Sequence, residues 1–159
     1  MIKIPEIKLF ISDVDGTLTD GGMYYTAEGE IMKKFNTRDA VGLRLLQERN
    51  IAVALITGED SDIVRTRANK LNIEHVYSGI TDKVTVLKQL CTELNIKAQQ
   101  VAYVGDDIND LEIMQNVGLS FAVSDAESII LDTATIKLSK AGGAGGVREA
   151  ANYVLENIV

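Results

Sequence analysis

Three short stretches free of charge, Leu9-Phe10-Ile11, Ile51 to Ile56 and Val101 to Val104, constrain this chain more than anything else in it. Apolar runs of this length suit strands buried on both faces, and such strands occur in parallel sheets covered by helices. Helical patterns separate them. Thr37 to about Arg49 carries Val41, Leu45 and Leu46 as an apolar stripe, Asp60-Ser61 can cap a helix to Leu71, and Asp82 can cap one to about Leu94. Shorter strands are expected at Val76-Tyr77, Leu119 to Val123 and Thr135 to Leu138. Further helices are expected after the Gly105–Asp110 loop to about Asn116, over Ala126 to Leu131, and from Val147 to Val159. Strands alternating with helices predict an α/β fold: a mostly parallel sheet with helices on both faces and its ligand site at the carboxyl ends of the strands. One insertion interrupts the alternation. Met23 to Thr26 and Ile31 to Phe35, around a Glu-Gly turn, form a β-hairpin between the first strand and the first helix. With no repeat and no linker, residues 1–159 are expected to form one domain, large enough for a proper core.

Composition narrows the function classes. Hydrophobic residues at 46% and charged residues at 25% are ordinary for a soluble protein, and no apolar run reaches the roughly 18–20 residues needed to cross a bilayer. Met1 to Glu6 has no hydrophobic signal core, so a cytoplasmic location is expected. The single Cys91 excludes an internal disulfide and a cysteine zinc cluster, and a net charge of −7 argues against a nucleic-acid partner. His75 lies outside every motif and receives no role.

The polar residues that matter each follow a buried strand: Asp13 and Asp15, Thr57-Gly58, and Asp106, Asp107 and Asp110. Each cluster alone is bland. Asp15-Gly16 fits a turn, Thr57-Gly58 another, and Asp-rich loops often only cap helices. The parallel-sheet topology brings all three to one edge. On an extended backbone Asp13 and Asp15 share a face and repel each other unless a cation sits between them. The oxygen-only donor set favours magnesium over zinc, with Asp106 the best partner for Asp13, and Asp107 and Asp110 either capping the next helix or orienting Asp106. Lys83 opens a helix, where the dipole disfavours a cation. Alone it is a solvated surface lysine; beside a metal and a threonine hydroxyl it is a clamp for phosphoryl oxygens.

Asp13-Val14-Asp15-Gly16-Thr17, Thr57, Lys83 and Gly105-Asp106-Asp107 with Asp110 resemble the four ordered motifs of the haloacid dehalogenase superfamily, whose core is a three-layer, Rossmann-like sheet. The resemblance implies that Asp13 is the nucleophile and forms an aspartyl-phosphate, and that Asp15 is first the general acid and then the general base. It implies magnesium held by Asp13, the backbone carbonyl of Asp15 and Asp106, with Thr57 and Lys83 on the phosphoryl oxygens. Superfamily ATPases lack an acid at the position of Asp15, so its presence points to a phosphatase. Neither the interval from Thr17 to Thr57 nor that from Thr57 to Lys83 has room for a cap domain, and capless members act on macromolecules or borrow a lid from a neighbour.

Within the superfamily the chain resembles the capless phosphatases of 3-deoxy-2-keto sugar acids, at Asp20-Gly21-Gly22, Lys34 to Asp39, Ile63 to Ala68 and Gly142 to Glu149. These belong to carbohydrate biosynthesis, that of lipopolysaccharide included, and act on 3-deoxy-manno-octulosonate 8-phosphate or nonulosonate 9-phosphates as homotetramers. In them the hairpins form the tetramer core and a neighbouring subunit closes the site. Here the hairpin and the glycine-rich stretch 141–146 are the implied lid. Thr37, Gly58, Glu59, Arg65, Lys70 and Arg148 are the implied substrate contacts, with Arg67 a further cation for the sugar carboxylate. Octulosonate enzymes carry a basic residue after the Thr-Gly, so Glu59, together with Lys70, tilts the reading towards a nine-carbon substrate. The rival readings are a phosphatase of another phosphometabolite, nucleotide or phosphoprotein, and a non-catalytic oligomerisation module.

Overall fold

A computed structural model describes residues 4–158. In chain order the elements are β1 (Leu9–Ser12), β2 (Thr19–Thr26), β3 (Gly29–Phe35), α1 (Thr37–Glu48), β4 (Ala52–Ile56), α2 (Asp62–Lys70), β5 (His75–Tyr77), α3 (Lys83–Glu93), β6 (Val101–Gly105), α4 (Leu111–Asn116), β7 (Leu119–Ala122), α5 (Ser128–Thr133), β8 (Ile136–Lys137) and α6 (Gly146–Glu156). The last helix ends at Glu156, where Asn157 bonds back to the Val154 carbonyl, and Val159 and Met1 to Lys3 lie outside the described residues.

Six strands form one sheet in the order β5-β4-β1-β6-β7-β8, and every pairing is parallel. The apolar runs explain the centre. Leu9, Phe10 and Ile11 of β1, Ala54 to Ile56 of β4 and Val101 to Val104 of β6 are fully enclosed. From β1 the chain steps outward through β4 to β5, then crosses back to β6 and steps the other way. Right-handed crossovers in opposite directions put their helices on opposite faces. Accordingly α1 packs against α6, while α3, α4 and α5 pack with one another. The order reverses between β1 and β6, so their carboxyl ends open a crevice where such sheets bind ligands.

The hairpin β2–β3 is a separate two-stranded sheet. Met23, Tyr24, Tyr25, Ile31 and Met32 are exposed on it. The glycine-rich stretch is not a free tail. Gly142 lies so close to the turn after β1 that a Cβ there would stand 1.8 Å from the Gly16 carbonyl oxygen, and the Gly143 N–H donates to the Thr17 carbonyl at 3.0 Å. The glycines are needed for that backbone-to-backbone contact, which seats the start of α6 against the first turn of the site.

Candidate active site

The crevice is built first by the end of β1. The Asp13 N–H still donates to Val104 of β6 at 3.1 Å, and the chain then folds into a tight turn in which the amides of Thr17, Leu18 and Thr19 all donate to the Val14 carbonyl. Gly16 takes φ +87°, and a Cβ on it would lie 2.0 Å from a carboxylate oxygen of Asp106, so only glycine lets the two motifs meet. The turn changes the expected relation of Asp13 and Asp15. Strand geometry stops at Ser12, and the two carboxylates meet different partners.

Asp13 turns inward. Its Oδ1 accepts from Lys83 Nζ at 2.7 Å, and its Oδ2 lies on the side of Thr17, whose hydroxyl donates to Asp106 Oδ1 at 2.9 Å. Lys83 is the first residue of α3, capped by Asp82, and its side chain is 2% exposed. It also donates to Asp110 Oδ1 at 2.8 Å and to the Tyr103 hydroxyl at 3.1 Å. Burial alone would pull the ammonium down, but Asp13 and Asp110 outweigh it and hold its pKa above the usual lysine value. Burial also drives the Tyr103 phenol well above its ordinary range, with the Asp110 carboxylate adding to it.

Asp15 faces outward and has its own lysine. Lys33 Nζ of β3 donates to Asp15 Oδ1 at 2.5 Å and pairs with Glu30 at 2.9 Å. Thr57, buried after β4, donates its hydroxyl to Asp15 Oδ2 at 3.4 Å and accepts from the Glu59 N–H. Lys33 received no role above. Its only mark in the sequence is a cation three residues after Glu30 on the same strand, next to a second lysine that is solvated.

Asp13, Asp106 and Asp110 each offer an oxygen within 4.8 Å of the others. Asp110 is already spent: Lys83 and Tyr103 donate to its Oδ1 and the amides of Asp106 and Asp107 to its Oδ2. These bonds tie Asp110 to the residues on either side of it. Asp107 is exposed and caps the 3-10 turn Ile108–Asp110. Asp13 and Asp106 each have only one oxygen held by a close donor, Lys83 on Asp13 and Thr17 on Asp106. Burial, then the carboxylates around it, raises Asp13 well above the carboxylate range, and burial, with Asp110 and Asp107 adding to it, raises Asp106 to about 6. A buried and a half-buried carboxylate pressed together fit a hard divalent cation, which relieves both desolvation and repulsion.

The remaining expected contacts are scattered. Gly58 and Glu59 stand exposed at the rim directly after Thr57, and Thr37 opens α1 behind its cap Asn36. Arg65 is bound by Asp60, Asp62 and Ser78 of its own surface. Arg67 stacks on Phe35, and Lys70 lines a groove between α2 and the hairpin. Arg148 Nε donates to Asn152 along α6. Ser61 holds the cap position of α2, but its hydroxyl makes no cap bond and donates to Glu30 instead.

A parallel sheet with an aspartate pair at its switch point, a threonine after the neighbouring strand and a buried lysine defines a hydrolase-like catalytic end. A family model for haloacid dehalogenase-like hydrolases matches residues 59–150. The 3-deoxy-D-manno-octulosonate 8-phosphate phosphatases of Yersinia pestis and Salmonella typhi are each 43% identical to the chain, over 96% and 98% of it and 82% of their own lengths. The crystal structure of the Yersinia pestis phosphatase matches with a TM-score of 0.94 at 42% identity, covering 96% of this chain and 83% of that one. That of the phosphatase from Moraxella catarrhalis, in complex with magnesium ion, phosphate ion and KDO molecule, matches with a TM-score of 0.93 at 37% identity, covering 98% and 89%. The chain belongs to the haloacid dehalogenase-like hydrolase family.

Proposed function

We propose that the protein is a magnesium-dependent phosphatase that hydrolyses the phosphate monoester of a 3-deoxy-2-keto sugar acid. The observation that carries this reading is the division of labour between the two aspartates, each with its own set of partners. Asp13, held through Oδ1 by Lys83, attacks phosphorus, and the bond to the sugar oxygen breaks as the aspartyl-phosphate forms. Asp15 gives its proton to the departing oxygen and then takes one from the water that cleaves the intermediate. Lys83 and the Thr57 hydroxyl bind phosphoryl oxygens. Asp13, Asp106 and the Asp15 carbonyl would hold the metal, which would supply charge neutralisation at the phosphoryl group.

The relatives act, by their names, on the octulosonate 8-phosphate, and this supports the eight-carbon substrate. Glu59, exposed at the rim after Thr57, is the observation that favours a nine-carbon substrate. The two readings separate in kcat/KM for the two phosphates, measured on the wild type and on Glu59→Arg. If Glu59 selects length, the arginine variant shifts the ratio at least tenfold towards the eight-carbon ester; an unchanged ratio ends that role. Absence of magnesium-dependent phosphate release from both esters would overturn the phosphatase reading itself.

The assembly proposed is a homotetramer that buries the exposed apolar side chains of the hairpin and lets a neighbour close the site. Five exposed large apolar side chains on one hairpin support it. A fully active monomer in light scattering would remove it.

A further inference from the structure

The hairpin reaches the site of its own chain through a register irregularity. Tyr25 pairs with Glu30 and Tyr24 with Met32, so one step along β2 matches two along β3 and Ile31 is an extra, bulged residue. In a regular strand residues 30 and 33 would point to opposite faces. The added residue returns them to the same face. Glu30 and Lys33 therefore point inward together, while Ile31, Met32 and Lys34 stay exposed. Lys33, with its side chain 0% exposed, lies between Glu30 at 2.9 Å and Asp15 at 2.5 Å. Glu30 is held in turn by the Ser61 hydroxyl at 3.0 Å. Ser61 has the extended backbone of a helix cap (φ −141°, ψ 122°) and forgoes the cap bond for this contact.

The result is a continuous chain of bonds, from the start of α2 through Ser61, Glu30 and Lys33 to Asp15, which Thr57 meets from the other side. We infer that Lys33 and Glu30 are positioning residues that hold the Asp15 carboxyl in place for proton transfer to the leaving oxygen. This rests on the proposed phosphatase reaction. Lys33 acts through Asp15 and takes no part in nucleophilic attack, which belongs to the separate Lys83–Asp13 bridge. The hairpin thus does more than present an apolar face: its inner edge places the acid of its own subunit.

A comparison of leaving groups tests this. The value of kcat/KM reports the steps up to loss of the first product, and an aryl oxide such as p-nitrophenolate leaves without a proton, whereas a sugar alkoxide needs one. Lys33→Met is expected to lower kcat/KM for octulosonate 8-phosphate about 100-fold and for p-nitrophenyl phosphate less than about 3-fold. Lys33→Arg is expected to recover most of the loss, and Lys34→Met, altering the exposed neighbour, to change neither ester. Should Lys33→Met fail to fold by circular dichroism, Glu30→Gln, close in shape, carries the test, with a loss of about 5-fold confined to the sugar phosphate. Equal losses on both esters, or none, in a variant that folds would overturn the inference while leaving the phosphatase reading intact. A wild type inactive on p-nitrophenyl phosphate and on both the eight- and nine-carbon sugar phosphates would overturn the reading and the inference with it.

Discussion

Two lysine–carboxylate bridges face each other across the first turn of this protein, and they are supported in opposite ways. Lys83 comes from the first turn of a core helix and its partners, Asp13 and Asp110, are enclosed by β1, β6 and the packed helices. Lys33 comes from a two-stranded hairpin outside the main sheet, and its partner Asp15 keeps 23% of its side-chain exposure. A lone hairpin is marginally stable in water, so the second bridge is only as firm as whatever covers the hairpin's outer face. The proposed nucleophile is thereby fixed by the fold, and the proposed acid/base by a segment that assembly can steady. In the proposed tetramer, burying Tyr24, Tyr25 and Met32 steadies Lys33 as well.

The sharpest test of the division is on its chemical side. Asp13→Asn is expected to lower turnover at least ~10⁴-fold with the fold retained, because the variant lacks the proposed nucleophile and the remaining groups have nothing to transfer to. Stability separates the two bridges next. Lys83→Met leaves Asp13 and Asp110 buried without a counter-charge and is expected to cost about 3–5 kcal/mol in urea unfolding. Lys33→Met frees a carboxylate that water can still reach and is expected to cost about 1 kcal/mol. Equal losses would erase the contrast.

Metal affinity probes the rigid side alone. With Asp106 raised to about 6, a proton competes with the cation on that carboxylate. Magnesium affinity measured by titration calorimetry is therefore expected to fall as pH drops through that value, by up to about tenfold per unit for this carboxylate, with the raised Asp13 adding its own fall. In Asp106→Asn the affinity is expected to be weaker at every pH, and this portion of the slope to vanish.

The sequence was most legible where burial is two-sided. The runs around Phe10, Leu55 and Val104 became the three central strands, and the residues just beyond them, Asp13, Thr57 and Asp106, met at one end because parallel strands share a direction. Asp82 was legible as a cap because its role is local, with its side chain accepting from Thr85. Lys33 was not. Whether a hairpin residue faces in or out depends on register, and one bulged residue at Ile31 reverses it. That Asp13 and Asp15 meet different partners was not legible for a related reason: alternation along β1 ends at Ser12, and the turn that follows is fixed by contacts with Asp106 and Gly142, far away in sequence.

One buried acid lies behind both bridges and gives the smallest of the expected effects. Asp39, in the first turn of α1, accepts from the Arg148 N–H of α6 at 2.9 Å through Oδ1, whereas its Oδ2 is enclosed without a partner among the described residues. It thus caps a helix whose own cap residue, Gly145, has no side chain, and it anchors the glycine segment that packs on the Gly16 turn. Burial raises its pKa above the usual value, only partly offset by the Arg148 amide. An acid whose pKa is raised by folding contributes its full stability below the unfolded pKa, and that contribution is lost as pH rises through the folded one. Asp39→Asn keeps the acceptor and removes the charge, so it is expected to gain on the wild type as pH rises from 4 to 8, by about 1 kcal/mol or less in urea unfolding. Asp39→Ala removes the acceptor and is expected to lose about 1 kcal/mol, the cost of an unmade cap, at acid pH, where charge plays no part. If the asparagine variant instead lost ground with rising pH, the ionised carboxylate would be a net stabiliser of α6 through the helix dipole. The glycine segment would then depend on that charge and not merely on the hydrogen bond.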